Sequence, residues 1–155
     1  MPAKLQCDVA LLSEKEVRKL WQAVCEYRQC RDDIVVVRCV EKEEIKKLNA
    51  TYRHKNTPTN VLTFSYPTGD DRQSYDAGEK SEDKAEHDIA VCLDVAKVEA
   101  GERDIPLRDY FGLLIVHSFL HATGLDHERS SDEAKKMREA EQQILEACGF
   151  VSVWL

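Results

Sequence analysis

The sequence predicts an α+β fold, a small mixed β-sheet of about four strands packed with about five or six helices. Two observations carry this. Short β-branched or alternating apolar runs end by residue 93, and from there to Gly149 the pattern is helical, punctuated by caps and glycines. Strands early and helices late make an α+β arrangement rather than a regularly alternating α/β one. The 155 residues fit a single domain spanning 1–155, with 43% hydrophobic residues to build its core.

Leu5, Cys7 and Val9 alternate with polar residues and read as a first short strand. Ser13 and Glu16 form a capping box that opens a helix whose stripe is Val17, Leu20, Trp21 and Val24. Ile34 to Val40 is a β-branched run and reads as a buried strand. A helix from about Glu41 to Tyr52 turns Ile45 and Leu48 inward and its lysines outward. The polar stretch Y-R-H-K-N-T-P-T-N, with Pro58, is an extended turn. Val61 to Phe64 is the third strand, Thr68 to Glu86 an acidic inserted loop, and Ile89 to Leu93 the fourth strand. Three helices follow: Asp94 to Gly101; one begun by Asp104 and Pro106 and stopped by Gly124; and one opened by a Ser130–Glu133 capping box and closed by Gly149.

The net charge of −7 argues against a surface that coats nucleic acid throughout. The charge is uneven, however. Thr68 to Asp88 holds eight acids against three bases, whereas Lys42, Lys46, Lys47, Arg53 and Lys55 face only Glu43 and Glu44 in the segment from 42 to 55. A local basic groove is therefore compatible with the composition, although those lysines read equally well as a solvated helix face. No apolar run approaches the ~20 residues of a membrane helix. The N-terminus has no signal-peptide core, so a cytoplasmic protein is expected, with all six cysteines reduced and structural.

The densest chemical signal is H-S-F-L-H-A-T-G-L-D-H. His117 and His121 lie four apart on a helix and project from one face, one turn apart. Gly124 lets the chain reverse, so His127 can supply a third nitrogen. Three imidazoles with an open fourth position suit a catalytic zinc, one Zn2+ per chain. A single buried histidine is ordinarily hydrogen-bonded core, but three in register would leave unpaired imidazoles that a shared metal relieves. The spacing is that of metzincin peptidases. The residue after the first histidine is Ser118 where those enzymes carry their glutamate base, which argues against peptide hydrolysis. Asp126 reads as a turn residue or a support behind the ligands rather than a base, His87 as a surface histidine outside the ligand set, and Tyr52 and Phe64 as core packing.

The segment N-A-T-Y-R-H-K-N-T-P-T-N-V-L-T-F (Asn49 to Phe64), the strand H-D-I-A-V-C and the histidine segment occur in an order and spacing that resemble the YbeY-type endoribonucleases, metal-dependent rRNA maturation factors. The resemblance runs from about Leu48 onward. It implies a zincin-related fold, and a single-strand-specific endoribonuclease acting in small-subunit rRNA 3′-end maturation and ribosome quality control. It also implies rRNA and the small ribosomal subunit as partners, with neither DNA nor membrane. The metal ligands carry over onto His117, His121 and His127, and the functional arginine onto Arg53, which alone would pass for a solvated surface residue. Asn56 and Asn60 stand where the family has aspartates, His87 where it has glycine, and Ser118 and Ala122 where it has Gly and Leu. The alternatives are a zinc metallopeptidase and a non-catalytic zinc-containing ribosome assembly factor.

Overall fold

The structure is a computed structural model that describes residues 3–6, 11–29, 33–67 and 85–151. Its elements run β1 (Ala3–Gln6), α1 (Glu14–Arg28), β2 (Ile34–Val40), α2 (Lys42–Arg53), β3 (Val61–Pro67), β4 (Ala85–Cys92), α3 (Leu93–Glu102), α4 (Leu107–Ala122) and α5 (Ser131–Ala147). The expected α+β class, element order and four-stranded mixed sheet are all present. The sheet order is β1-β2-β4-β3. β2 pairs parallel with β1 and β4, and β3 closes the edge antiparallel to β4, with Ser65 opposite His87.

Alternation along the strands divides the core. Val35, Val37, Ile89 and Val91 face a large cluster with α1, α4 and α5, where Trp21, Phe111, Phe119 and Leu120 are fully or almost fully buried. Leu62 and Cys92 face the other way, onto Ile45 of α2. α4 runs through the middle. From Asp109 to Leu120 every residue is buried except His117. Its close fit is visible at Gly112, where an added Cβ would lie 2.9 Å from the Phe150 ring.

The Ser13–Glu16 capping box forms reciprocally. At α5 only half of the expected box exists: Glu133 N–H donates to Ser130 Oγ, while the Glu133 carboxylate accepts instead from Asp126 N–H at 2.9 Å. Asp104 does not cap α4. It has φ 55 just beyond α3, and Pro106 holds the N-cap position. The reason is that Ile105 N–H and Asp104 N–H close back onto Ala100 and Gly101 carbonyls, which commits Asp104 to ending the preceding helix. β4 starts at Ala85 rather than Ile89, so Ala85 and Glu86 belong to the sheet and not to the acidic loop; residues 68–84, like Cys7 and Val9 of the first predicted strand, lie outside the described residues.

Cys25 and Cys92 are buried and reduced. Cys39 is disulfide-bonded, which corrects the reading of all six cysteines as reduced. That reading rested on compartment, whereas pairing depends on which sulfurs the fold brings into range.

Candidate metal centre

The three histidines are assembled by one helix end. α4 terminates in a Schellman motif: Leu125 N–H donates to Leu120 C=O at 3.2 Å and Gly124 N–H to His121 C=O at 2.9 Å, with Gly124 at φ 106. Leu125 is buried, which anchors the reversed chain. The next turn is held by Glu128 N–H donating to Asp126 Oδ1 at 2.9 Å, and by Glu133 accepting from Asp126 N–H. Asp126 is thus a turn residue, as expected. These contacts return the chain so that His127 faces the two α4 histidines.

One ring nitrogen from each of His117, His121 and His127 lies within 4.8 Å of the other two. His117 Nε2 and His121 Nε2 are 3.1 Å apart. Two nitrogens at about 2.0–2.1 Å from a tetrahedral ion would be separated by about 3.3 Å, so the spacing fits a shared metal. The rings are mutually tilted by 54–81°, fanned around a common point rather than stacked. Burial lowers the His121 imidazole to about 4, and the neighbouring His117 and His127 press in the same direction. A neutral imidazole is the form that ligates. The donor set could therefore hold a metal ion.

The rear of the site contains a residue that sequence reasoning did not single out. Glu141 of α5 is 4% exposed, and its Oε2 lies 3.4 Å from His117 Nδ1. With Nδ1–H turned to Glu141, His117 Nε2 is left free to ligate. A carboxylate behind a ligating histidine fixes its tautomer and orientation. The signal was legible in principle. Glu141 sits in the inward stripe of α5 with Met137, Ala140, Ile144 and Leu145, a position where an unpaired acid is costly.

The histidines open onto a cleft of about 1480 Å³ that extends along the edge strand β3 and past the end of α2. Arg53 lines it, exposed, as the last residue of α2 rather than in the following turn. Buried Asn49 donates from Nδ2 to Thr57 C=O at 2.8 Å and so ties the polar turn to that helix end. Arg38, Lys55, Arg103 and Arg138 share the lining, against Asp88, Asp126, Glu128 and Glu141. Lys42, Lys46 and Lys47 are not part of it; Lys42 and Lys47 are exposed and Lys46 is half-buried. Tyr52 is 63% exposed and meets Phe64 edge-on, ring centroids 4.9 Å apart, at the cleft wall. This corrects the assignment of Tyr52 to core packing, since it lies next to the last residue of α2 with its ring at the surface, whereas Phe64 does pack, partly buried, against the Ile45–Leu62–Cys92 cluster.

Asn60 donates from Nδ2 to Glu99 Oε1 at 2.9 Å, and Tyr110 OH donates to the same oxygen at 2.9 Å. Burial and the Glu99 carboxylate push the Tyr110 hydroxyl up to about 12. An aspartate at position 60 would face that carboxylate, so Asn60 suits its surroundings here. Ser118 is fully buried with no hydrogen-bond partner for Oγ. His87 is not a surface residue. It is 3% exposed, because β4 begins early enough for the alternation to turn 87 inward with Ile89 and Val91.

The family profile described as Endoribonuclease YbeY matches residues 4–149. The chain is 40% identical over 116 residues to the Endoribonuclease YbeY of Burkholderia lata, a match that spans 75% of this chain and 61% of that protein. It is 40% identical over 119 residues to the protein of the same description from Cupriavidus necator, spanning 77% of this chain and 54% of that one. With the corresponding Acidovorax protein the figures are 38% over 119 residues, 77% and 70%. The first two matches thus extend over little more than half of each relative's length. The solution structure of TM1509 from Thermotoga maritima superposes with a TM-score of 0.57 at 24% identity, over 95% of this chain and 91% of that one, a likeness of fold. A profile match over nearly the whole chain, joined to the expected histidine cluster and sheet, places this chain in the YbeY endoribonuclease family.

Proposed function

We propose that this chain is a metal-dependent endoribonuclease that cleaves single-stranded RNA, with the rRNA of the small ribosomal subunit as its substrate. The observation that carries the reading is the convergence of His117, His121 and His127 on one point at the end of a cleft that also holds Arg53. Three imidazoles are the donor set of a catalytic zinc, so one Zn2+ per chain is the proposed cofactor. Such an ion supplies Lewis acidity toward a phosphate oxygen or a water.

The chain's own residues do the rest. Glu141 holds the His117 ring so that Nε2 points at the shared position. Arg53 grips a non-bridging phosphate oxygen pair through its planar guanidinium and sets the scissile phosphate beside the histidines. Arg38 and Lys55 extend the positive lining for the flanking backbone. The exposed face of Tyr52, backed by Phe64, offers a platform for an unstacked base, which favours single strands over duplex.

The reading is tested by metal analysis and RNA cleavage on wild type, His121→Ala and Arg53→Ala. Wild type should carry about one metal per chain. His121→Ala should lose both metal and cleavage, while Arg53→Ala should keep the metal and lose cleavage by about 10²-fold or more. Undiminished cleavage by pure His121→Ala protein would overturn the proposal.

A further inference from the structure

Ser65, His87 and Asp33 form a second hydrogen-bonded constellation, independent of the histidine cluster, in which Ser65 stands at the wall of the same cleft. Ser65 Oγ lies 2.7 Å from His87 Nδ1, and His87 Nε2 lies 2.9 Å from Asp33 Oδ2. Asp33 is held in place on its other oxygen, which accepts from Ala85 N–H at 2.9 Å, and at its backbone, where Trp21 Nε1–H donates to Asp33 C=O at 3.2 Å. Trp21 also packs against the His87 ring, with centroids 5.9 Å apart.

The network fixes its own proton order. A carboxylate only accepts, so His87 carries its hydrogen on Nε2 and presents the Nδ1 lone pair to Ser65. The serine hydroxyl then donates to a base that is itself oriented by an acid. That is the nucleophile–base–orienter logic of hydroxyl activation, recognised by geometry and roles rather than by order in the chain.

Register explains why the pair meets. Cys92 N–H donates to Asn60 C=O at 2.9 Å, so the 60/92 pair is hydrogen-bonded. Continuing the antiparallel register, Ser65 opposite His87 is a non-hydrogen-bonded pair, the class in which facing side chains approach most closely. In such a pair the backbone groups of Ser65 point away from β4. Since β3 is the sheet edge among the described residues, the Ser65 N–H is turned outward, where it can donate to a developing oxyanion. Ser65 is exposed and lines the cleft, while His87 is buried behind it. A serine reachable from solvent, backed by a sheltered histidine, is the arrangement a nucleophile needs.

We infer that Ser65 is an activated nucleophile that accepts acyl groups from carboxylic esters through the His87–Asp33 relay, a hydrolytic activity separate from the metal centre. Ser65 Oγ bonds to the ester carbonyl carbon as its proton passes to His87 Nδ1. The carbon–alkoxide bond then breaks, and the alkoxide takes that proton and leaves as the alcohol. Water attacks the acyl-serine, giving one proton to His87 Nδ1. The Ser65 oxygen leaves the acyl carbon, recovers the proton, and the carboxylic acid departs.

A fluorophosphonate probe tests this directly, since attack by Ser65 forms a phosphorus–oxygen bond and expels fluoride. Wild-type protein should acquire one adduct, mapped by mass spectrometry to Ser65 and absent from Ser65→Ala. A chelator should leave the labelling rate unchanged, which separates this site from the metal-dependent reading. Labelling should slow about 10²-fold or more in His87→Gln and in Asp33→Asn. His87 is buried, so if His87→Gln fails to fold, the test rests on Asp33→Asn and on a p-nitrophenyl acetate burst present in wild type and lost in Ser65→Ala. No adduct on Ser65, or an adduct formed equally fast in folded Asp33→Asn, would overturn the assignment.

Discussion

Glu141→Gln replaces one atom behind the proposed metal ligands, and the geometry defines what that atom does. Glu141 is 4% exposed on the inward stripe of α5, and it meets His117 Nδ1 at 3.4 Å. Glutamine keeps the volume and can still accept through its amide oxygen, but it no longer places a negative charge behind the imidazole. Loss of such a carboxylate lowers metal affinity by about 10–100-fold. The 3.4 Å separation is at the long end of a hydrogen bond. The expected loss is therefore near the lower figure, about tenfold or about 1.4 kcal/mol. The fold should not suffer, because glutamine leaves no uncompensated buried charge and removes the desolvation cost of a carboxylate. The measurement is a competitive chelator titration with zinc on wild type and Glu141→Gln, alongside thermal melts of both metal-free proteins. Weaker zinc binding with an unchanged or higher metal-free Tm supports an orienting role. Zinc affinity equal to wild type would refute the reasoning, and a Tm loss matching the affinity loss would show a merely structural one.

Gly112→Ala should lower stability through overpacking, by about 1–3 kcal/mol, because the added methyl meets the Phe150 ring at 2.9 Å; a denaturation midpoint unchanged from wild type would show that the ring moves aside freely. Gly124→Ala should cost about 1–2 kcal/mol, since φ 106 is strained for an L-residue, and should also weaken zinc binding by displacing His127; unchanged affinity would mean the turn does not set that ligand. The metal-free protein should lose stability as pH falls from about 6.5 to about 4. His121 has its folded pKa lowered from 6.5 to about 4, so in that window the unfolded chain takes the proton first, and above it the contribution is flat. Melts of metal-free protein on both sides of that window check this, and His121→Ala should flatten the dependence.

Local patterns make much of this molecule legible. The β-branched run at Ile34–Val40, the Ser13–Glu16 box and the apolar interior of α4 each announce an element whose backbone preferences and burial agree. The histidine cluster is equally readable, because its geometry is made by one helix turn and one glycine-ended cap, both short-range in sequence. Pairings across the chain are not. His87 reads as a surface residue because its burial depends on where β4 begins and on Trp21, which lies far away in the sequence. Cys39 reads as a reduced thiol because its disulfide bond depends on tertiary proximity, which local sequence does not carry.

The sequence by itself determined the elements, their order and the three nitrogens that converge, since helical periodicity and a left-handed glycine are properties of the local chain. Only the tertiary structure decided what stands around them. It brought Glu141 behind His117 and Arg53 into the same cleft. It also set Ser65, His87 and Asp33 in line, because strand register, unlike helical spacing, is settled by the partner strand and the buried face.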